Sequence, residues 1–417
     1  MIKMESKIKD IKLAPLGEQK IAWAKEYMPL MAYLRKQYAA KKIFKDITIV
    51  MTIHLEAKTA NLALLFKDCG ANVVVTGSNP LSTQDEVAAA LVKHGITVFA
   101  THGCSAKEYD NYLASALKTH PQLIIDDGGD LVNMLHSQCG KQAKEIWGGS
   151  EETTTGVHRL KALDAANKLE FPMIAVNDST CKYLFDNRYG TGQSSLDGII
   201  RTTNVALAGK TLVVAGYGWC GKGVALRAKG MGAKVIVTEV DPVKAIEAMC
   251  DSFHVMPMDK AAKVGDIFIT VTGCKDVIRG KHYPLMKNGA ILCNAGHFDV
   301  EINIPELKAL SVKKPYEIRK NITTYTMQDG RKINLLGEGR LVNLACGDGH
   351  PIEIMDLSFA MQFIAMKYLS ENHSMLEKKL YVLPEELDQE IAKAKLAAGG
   401  YKIDKLTKEQ FDYLHAE

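Results

Sequence analysis

Short apolar runs rich in β-branched residues recur along the first half of the chain, and amphipathic segments separate them. The runs predict strands at residues 47–51, 72–76, 97–100, 122–125 and 172–176. Apolar residues that recur every three or four positions predict one helix over 21–38 and others over 86–94 and 107–119. Because buried strands joined by helices form parallel sheets covered on both faces, this half predicts a doubly wound sheet.

A second alternation begins at residue 211, with strands predicted at 211–215, 234–238, 266–271 and 290–294. Residues 179–203, between the two halves, are rich in turn-forming residues, which indicates a crossover between two domains. After residue 351 the pattern becomes helical, over 352–369, 385–398 and 405–415. The predicted fold is α/β, with two doubly wound parallel-sheet domains and a small helical C-terminal segment.

The composition narrows the class of protein. Of 417 residues, 47% are hydrophobic and 24% are charged, as in ordinary globular proteins of two or three domains. The net charge of +4 comes without a long run of like charges, so no nucleic-acid partner is expected. Nine cysteines without a CxxC pair indicate reduced, mostly buried thiols. The sequence shows no signal segment or membrane span, so we expect a cytoplasmic protein without a membrane partner.

A glycine-rich turn follows the strand predicted at 211–215. Gly216, Gly218 and Gly221 have the GxGxxG spacing, and a helix and a second strand come next. These glycines permit a tight turn, close approach of a pyrophosphate and close packing of helix on strand. Glu239 ends the second strand, where a carboxylate accepts from the adenosine ribose and repels a 2′-phosphate. The complete βαβ unit predicts that the chain binds NAD rather than NADP.

Polar residues follow the predicted strands of the first half, where open α/β sheets bind their ligands. If a helix starts at His54, that side chain and Lys58 share a face by their i,i+4 spacing. Further candidates lie in the crossover and in the second half. The candidates are Glu56, Thr59, Asp127, Glu152, Thr153, Thr154, Thr155, Lys182, Asp186, Asn187, His297, Asn343 and His350.

Many of these candidates also have a purely structural interpretation. Lys182 and Asp186, at i,i+4 spacing, could form a surface ion pair. No metal site is predicted, because the segment from His54 to Glu56 lacks the two-histidine helical spacing of zinc sites. The remaining structural interpretations are helix caps for Asp127, Glu152 and Thr153, and satisfied structural histidines for His297 and His350.

Longer motifs occur in order along the whole chain. They lie at residues 54–56, 79–85, 126–130, 150–156, 185–190, 216–221, 296–299 and 338–344. In these motifs the sequence closely resembles the S-adenosylhomocysteine hydrolase family. The resemblance implies one tightly bound NAD per subunit, which is regenerated within each turnover. It also implies a small nucleoside thioether as substrate.

The resemblance further implies a mechanism in which the 3′-hydroxyl of the substrate is first oxidised to a ketone. The ketone acidifies C4′–H, homocysteine leaves from C5′, water adds, and C3′ is reduced again. Lys182 and Asp186 then handle the 3′-hydroxyl proton and orient the ribose, and His297 lies near the oxidised carbon. His54 and Asp127 form the acid/base pair around C4′ and C5′.

The binding residues are assigned by the same resemblance. Glu152 holds a ribose hydroxyl, and His350 lies at the joint between the domains. Because Lys182 lies beside the positive charge of NAD, we expect its pKa to be lowered, which suits a general base. The contacts to the nicotinamide half of NAD are Thr153, Thr154, Thr155, Asn187 and Asn343.

The chain departs from the family pattern beside the purine and at the C-terminus. Glu56 and Lys58 replace a threonine and a glutamate of many members, and Thr59 follows them. An ammonium only donates hydrogen bonds, so Lys58 suits the 6-oxo group of hypoxanthine at least as well as adenine. S-inosylhomocysteine therefore stays open as the substrate. The sequence also ends at Glu417, before the lysine and tyrosine of longer members, so we expect a short form of the family.

The expected domain organisation follows from the motifs. Residues 1–185 with 350–384 are predicted to bind substrate, 186–349 to bind NAD, and 385–417 to support a homotetramer. Two other functions stay open at this point. One is a conventional dehydrogenase that exchanges NAD freely, and the other is a regulatory homologue that binds nucleotide without catalysis.

Overall fold

The computed structural model describes residues 4–415. Within them the strands belong to two sheets. The strands are β1 (Thr48–Thr52), β2 (Asn72–Thr76), β3 (Thr97–Phe99), β4 (Leu123–Asp126), β5 (Gly148–Glu151), β6 (Met173–Ala175), β7 (Thr211–Ala215), β8 (Lys234–Thr238), β9 (His254–Val255), β10 (Ile267–Thr270), β11 (Ala290–Asn294), β12 (Tyr316–Arg319), β13 (Ile322–Thr326), β14 (Lys332–Leu336) and β15 (Leu380–Tyr381).

Helices surround both sheets. They are α1 (Ala14–Glu26), α2 (Pro29–Tyr38), α3 (Ala57–Asp68), α4 (Asp85–Lys93), α5 (Ala106–Leu117), α6 (Asp130–Ser137), α7 (Gly140–Ala143), α8 (Thr154–Ala165), α9 (Thr180–Lys182), α10 (Thr191–Thr203), α11 (Trp219–Gly230), α12 (Pro242–Cys250), α13 (Met258–Val264), α14 (Ile304–Leu310), α15 (Val342–Ala345), α16 (Ile352–Asn372), α17 (Glu385–Ala398) and α18 (Lys408–His415). A π-helix, Tyr183–Gly190, joins α9 to α10.

The first sheet has the order β15-β6-β5-β4-β1-β2-β3, and all of its pairs are parallel. Its central strands are mostly apolar and are buried along their whole length, as a sheet covered on both faces requires. Separate apolar cores lie on its two faces. Strand β15 arrives from the far end of the chain and extends the edge beside β6.

The second sheet has the order β12-β13-β14-β11-β10-β7-β8-β9. It is parallel from β14 to β9, and β13 and β12 continue it in antiparallel orientation. The predicted α/β class with two doubly wound sheets is confirmed. The antiparallel extension was not predicted, because every residue of β12 is exposed and β13, although mostly buried, is rich in threonine and has no continuous apolar run.

Several local predictions are wrong for identifiable reasons. The helix expected over 21–38 is two helices, because Pro29 lacks an N–H and begins α2. Strand β5 was missed because it begins Gly148-Gly149; a Cβ on Gly149 would lie 2.5 Å from Ile124 Cγ1, so close packing requires glycine. The crossover segment 179–203, which is rich in turn-forming residues, is mostly helical.

All nine cysteines are free thiols, but only four are buried, so the expectation of mostly buried thiols is wrong. Cys250 and Cys274 are exposed. Among the helices of residues 4–415, none combines the length and apolarity that a membrane crossing requires.

Candidate functional site

The carboxyl ends of both sheets face one cavity of about 830 Å³. Parallel strands present their following loops at this edge, which is where open α/β sheets bind ligands. Of the site residues named from the sequence, every one except Gly221 lines the cavity. The structure therefore brings together side chains that lie as far apart in the chain as His54 and His350.

The glycine turn lies between β7 and the first turn of α11. Gly216 has φ +106°, which favours glycine, and a Cβ on Gly221 would lie 2.0 Å from the Gly216 carbonyl oxygen. A Cβ on Gly218 would meet no atom within 4 Å, so the space beside it is open. Gly218 is also the N-cap of α11, whose free N–H groups favour phosphate. This cradle fits the pyrophosphate of a dinucleotide.

Two further side chains fit the rest of that cofactor. Glu239 follows β8, and its carboxylate accepts from the backbone N–H groups of Tyr217 and Val240, both at 2.7 Å, beside the cradle. The buried Asn343 Oδ1 has no hydrogen-bond partner among the described residues. A buried amide oxygen left unpaired is costly, so a donor group of a bound ligand would satisfy it.

Lys182 lies at the centre of a buried polar cluster. Its Nζ lies 3.1 Å from Asp186 Oδ2 and 2.8 Å from Asn187 Oδ1. The π-helix Tyr183–Gly190 follows Lys182 directly, and it presents both partners to the ammonium. The side chains of Lys182 and Asp186 are only 6% and 3% exposed, so the interpretation as a surface ion pair is wrong.

The charge environment of Lys182 differs from the expectation. Burial by itself lowers the pKa of Lys182, but Asp186 and Glu152 outweigh it and raise the pKa above its ordinary value. The predicted lowering of the Lys182 pKa is therefore not a property of the protein's own groups. A positive charge bound beside Lys182 would lower its pKa.

His54, Asp127 and His297 form a second cluster. His54 Nε2 lies 3.4 Å from Asp127 Oδ2, and His297 Nδ1 lies 3.8 Å from Asp127 Oδ1. Asp127 follows β4 of the first sheet and His297 follows β11 of the second, so the cluster bridges the two sheets. Burial lowers the pKa of His54 to about 4 despite the Asp127 carboxylate, which leaves the imidazole neutral at pH 7. The ligand atoms of the three side chains lie within 4.8 Å of one another, so they could also hold a metal ion.

Glu56 and Lys58 form a buried ion pair, with Lys58 Nζ 2.9 Å from Glu56 Oε2. Glu56 caps α3, accepting from the N–H groups of Lys58 and Thr59 at 3.0 and 3.2 Å. The helix begins at Ala57, so His54 precedes it and does not share a helical face with Lys58. Lys58 also donates to the carbonyl of Asp348 at 2.7 Å, and this contact ties α3 to the segment before α16.

The structural interpretation as helix caps does not hold for Asp127 and Glu152. Gly129 is the N-cap of α6, so Asp127 is not a cap. Thr153 is the N-cap of α8, but its side chain accepts no capping hydrogen bond, and Glu152 precedes it. His350 is engaged with the site: its Nδ1 bonds the Asp186 carboxylate and its Nε2 lies 3.3 Å from Thr191 Oγ1.

Comparison with known proteins agrees with this geometry. The sequence model of S-adenosyl-L-homocysteine hydrolase matches residues 5–146, and that of the hydrolase's NAD binding domain matches residues 187–349. The adenosylhomocysteinase of Thermococcus kodakarensis is 57% identical over 98% of this chain and 97% of its own length.

The chain belongs to the S-adenosyl-L-homocysteine hydrolase family.

Family membership makes the protein an NAD-binding hydrolase rather than a conventional dehydrogenase. Family members that are named for either of the two substrates are similar to this chain. The S-inosyl-L-homocysteine hydrolase of Methanocaldococcus jannaschii is 56% identical over 98% of each chain, and the adenosylhomocysteinase of Pyrococcus abyssi is 54% identical over 98% of this chain and 97% of its own. Overall similarity therefore does not distinguish the two purines.

Two polar residues of α16 were missed from the sequence. Ser358 Oγ lies 3.0 Å from Glu152 Oε1, and Gln362 Nε2 donates to Glu152 Oε2 at 2.5 Å. Both residues are fully buried. They are the only polar positions in the otherwise apolar stretch 357–366 and are four residues apart. That i,i+4 pair on one helix face was the signal that could have identified them.

Proposed function

We propose that this protein hydrolyses S-adenosyl-L-homocysteine to adenosine and L-homocysteine, reversibly and with NAD held throughout the cycle. The observation that carries the proposal is the position of the Lys182 cluster. This buried acid/base group opens into the same cavity as the glycine cradle at Gly216 and Gly218. A substrate hydroxyl placed between them would have a proton acceptor on one side and the cofactor on the other.

NAD, when bound, supplies reversible oxidation of the substrate's 3′ carbon. We propose that Gly216, Gly218 and Gly221 admit its pyrophosphate and that Glu239 accepts from its adenosine ribose. Five residues that lie around the Lys182 cluster or in α15 would contact the nicotinamide half: Thr153, Thr154, Thr155, Asn187 and Asn343.

Lys182 takes the proton of the 3′-hydroxyl in this proposal. Asp186 holds the ammonium and orients the ribose, and Glu152, whose Oε1 lies 3.5 Å from Lys182 Nζ, binds a ribose hydroxyl. The positive charge of the bound cofactor would oppose the carboxylates that raise the Lys182 pKa. The base therefore becomes available only when the site is loaded.

The second cluster handles the protons at C4′ and C5′. A neutral His54 accepts a proton at pH 7, and Asp127, 3.4 Å away, stabilises the imidazolium that forms. Ser82 Oγ lies 2.7 Å from His54 Nδ1 and fixes the ring's orientation. His297 approaches from the second sheet, so the cluster needs residues that follow strands of both sheets.

The purine is assigned to the pocket beside Glu56, Lys58 and Thr59. A carboxylate accepts from the 6-amino group of adenine, whereas the Lys58 ammonium donates to the 6-oxo group of hypoxanthine. The buried Lys58, which already spans Glu56 and the Asp348 carbonyl, supports S-inosyl-L-homocysteine as the second candidate substrate. The chemistry at the ribose is the same for both.

We also propose the organisation expected from the sequence. Residues 1–185 with 350–384 bind substrate, residues 186–349 bind NAD, and residues 385–417 support a cytoplasmic homotetramer. The exposed apolar side chains of α18, Phe411, Tyr413 and Leu414, favour contact with another subunit. His350 would be at the joint about which the two parts close.

The experiment incubates purified protein with each thioether and no added NAD, and follows thiol release and absorbance of NADH. The hydrolase releases free thiol without net NADH, and the faster substrate identifies the purine. Stoichiometric NADH that requires added NAD would refute the proposal. Bound nucleotide without thiol release from either thioether would instead indicate the regulatory homologue.

A further inference from the structure

The hydroxyl of Ser358 lies between two carboxyl groups. Its Oγ lies 3.0 Å from Glu152 Oε1 and 2.8 Å from Asp186 Oδ2, and all three side chains are buried. A serine hydroxyl carries one proton, so it donates to only one of two acceptors. Its second short contact is favourable only if the other carboxyl is protonated and donates to the Ser358 oxygen.

The surrounding groups decide which carboxyl carries that proton. Asp186 has Lys182 Nζ at 3.1 Å and also bonds His350 Nδ1, so two nitrogen groups stabilise its negative charge. Glu152 has weaker support, because Lys182 Nζ is 3.5 Å from its Oε1. The carboxylates of Asp186 and Asp127 both repel a charge on Glu152.

The far side of Glu152 identifies the protonated oxygen. Ser150 Oγ donates to Gln362 Oε1 at 2.5 Å, which turns the Gln362 amide nitrogen toward Glu152 Oε2, also at 2.5 Å. Oε2 is thus an acceptor, and Oε1, which faces Ser358, is the oxygen left to carry the proton.

We propose that Ser358 is a positioning residue that accepts a hydrogen bond from a neutral Glu152 and donates one to the Asp186 carboxylate. The electrostatic surroundings agree: burial raises the pKa of Glu152 to about 8, although Lys182 opposes this rise. For Asp186 burial acts in the same direction, but Lys182 and His350 hold its pKa below the usual range.

The neutral Glu152 changes what Lys182 can do. With both carboxyls ionised, two negative charges would hold the proton on the Lys182 ammonium; with Glu152 neutral, only Asp186 does so. This consequence rests on the proposed role of Lys182 as base. The protonation state of Glu152 does not, and it can be measured without substrate.

The first arm of the experiment is infrared difference spectroscopy on the holoenzyme at pH 7. We expect a protonated-carboxyl C=O band that is absent in Glu152→Gln and that moves to higher frequency in Ser358→Ala, because the acid loses its acceptor. The proposal is overturned if Glu152→Gln removes no such band, or if Ser358→Ala leaves it in place. Neither outcome depends on whether the protein hydrolyses a thioether.

The second arm is the pH profile of kcat for thiol release. In Ser358→Ala we expect kcat to fall by roughly tenfold or more, as for a lost hydrogen bond to a charged group. The alkaline limb should move to lower pH, because neutral Glu152 loses the acceptor that stabilises it. Ser358→Thr keeps the hydroxyl and should restore the limb. A wild-type profile in Ser358→Ala overturns the proposal.

Ser195→Ala is the matched control, since Ser195 is fully buried and its Oγ has no partner among the described residues. It should leave the pH profile and the carboxyl band unchanged. If the threonine variant does not fold, as judged from its thermal midpoint and NAD content, the infrared arm decides.

Discussion

The carboxylate of Asp388 accepts a hydrogen bond from the backbone N–H of Cys181 at 2.8 Å, although 207 residues separate the two. It also accepts from the N–H of Thr180 at 2.7 Å. These N–H groups open the short helix α9, which ends at Lys182. Helix α17 therefore holds the segment that carries the proposed base.

Replacing Asp388 should weaken catalysis without contact to substrate. We expect Asp388→Ala to lower kcat by roughly tenfold and destabilise the protein by about 1–3 kcal/mol, because the buried N–H of Cys181 and the partly buried N–H of Thr180 lose their acceptor. NAD content should stay unchanged. Asp404→Ala, at an exposed position, is the control. Wild-type kcat in the folded Asp388→Ala variant would show that α17 does not position Lys182.

Lys182→Ala should nearly abolish oxidation of the 3′-hydroxyl while leaving NAD bound. The loss of a positioned base typically lowers the rate by about 10²–10⁴-fold. A single-turnover measurement of NADH absorbance reports the oxidation, and the nucleotide released on denaturation reports the bound cofactor. Lys161→Ala, which removes an exposed ion pair with Asp178, should change neither. Loss of NAD from Lys182→Ala would refute the assignment.

Substitutions at Gly218 and Gly221 should separate the effect on NAD binding from the effect on folding stability. Gly218→Ala adds a Cβ in open space, so the apoprotein should keep its thermal midpoint while its affinity for NAD falls. Gly221→Ala places a Cβ 2.0 Å from the Gly216 carbonyl oxygen and should cost about 1–3 kcal/mol of stability. Calorimetry of the apoproteins and NAD titration test both. Unchanged NAD affinity in Gly218→Ala would place the pyrophosphate elsewhere.

Lys58→Gln should shift the choice of purine. If the ammonium donates to a 6-oxo group, its removal lowers kcat/KM for the inosyl thioether by roughly tenfold or more and changes the adenosyl value less. The ratio of the two kcat/KM values measures the effect. Lys67→Gln, on the exposed side of the same helix, is the control. An unchanged ratio would exclude Lys58 from purine recognition.

Acid should destabilise the protein through His54. Its pKa in the folded chain is about 4, below the ordinary 6.5, so the unfolded chain binds more protons between these values. The contribution of neutral His54 to the free energy of unfolding is therefore fully present above pH 6.5. It decreases by up to about 3 kcal/mol as the pH falls toward 4. The thermal midpoint of His54→Asn should fall less over this range than that of the wild type. His120→Asn, at an exposed site, should behave like the wild type.

The sequence determined the local units of this fold. Strands β2, β7, β8 and β11 have the predicted bounds, since each is a continuous apolar run between turn residues. The glycine turn could also be predicted from the sequence, because its spacing follows from backbone sterics and from the close approach that a bound phosphate requires. Site candidates could be named because polar residues that follow strands meet at one edge of a parallel sheet.

Only the tertiary structure decided how those candidates are paired and charged. The sequence could not show that the Lys182–Asp186 pair is buried, that burial keeps His54 neutral, or that α16 brings Ser358 between two carboxyl groups. Each depends on elements that are distant in the chain and on the exclusion of water around them. Because charge states follow from burial and from neighbouring charges, they are set when the sheets and helices pack together.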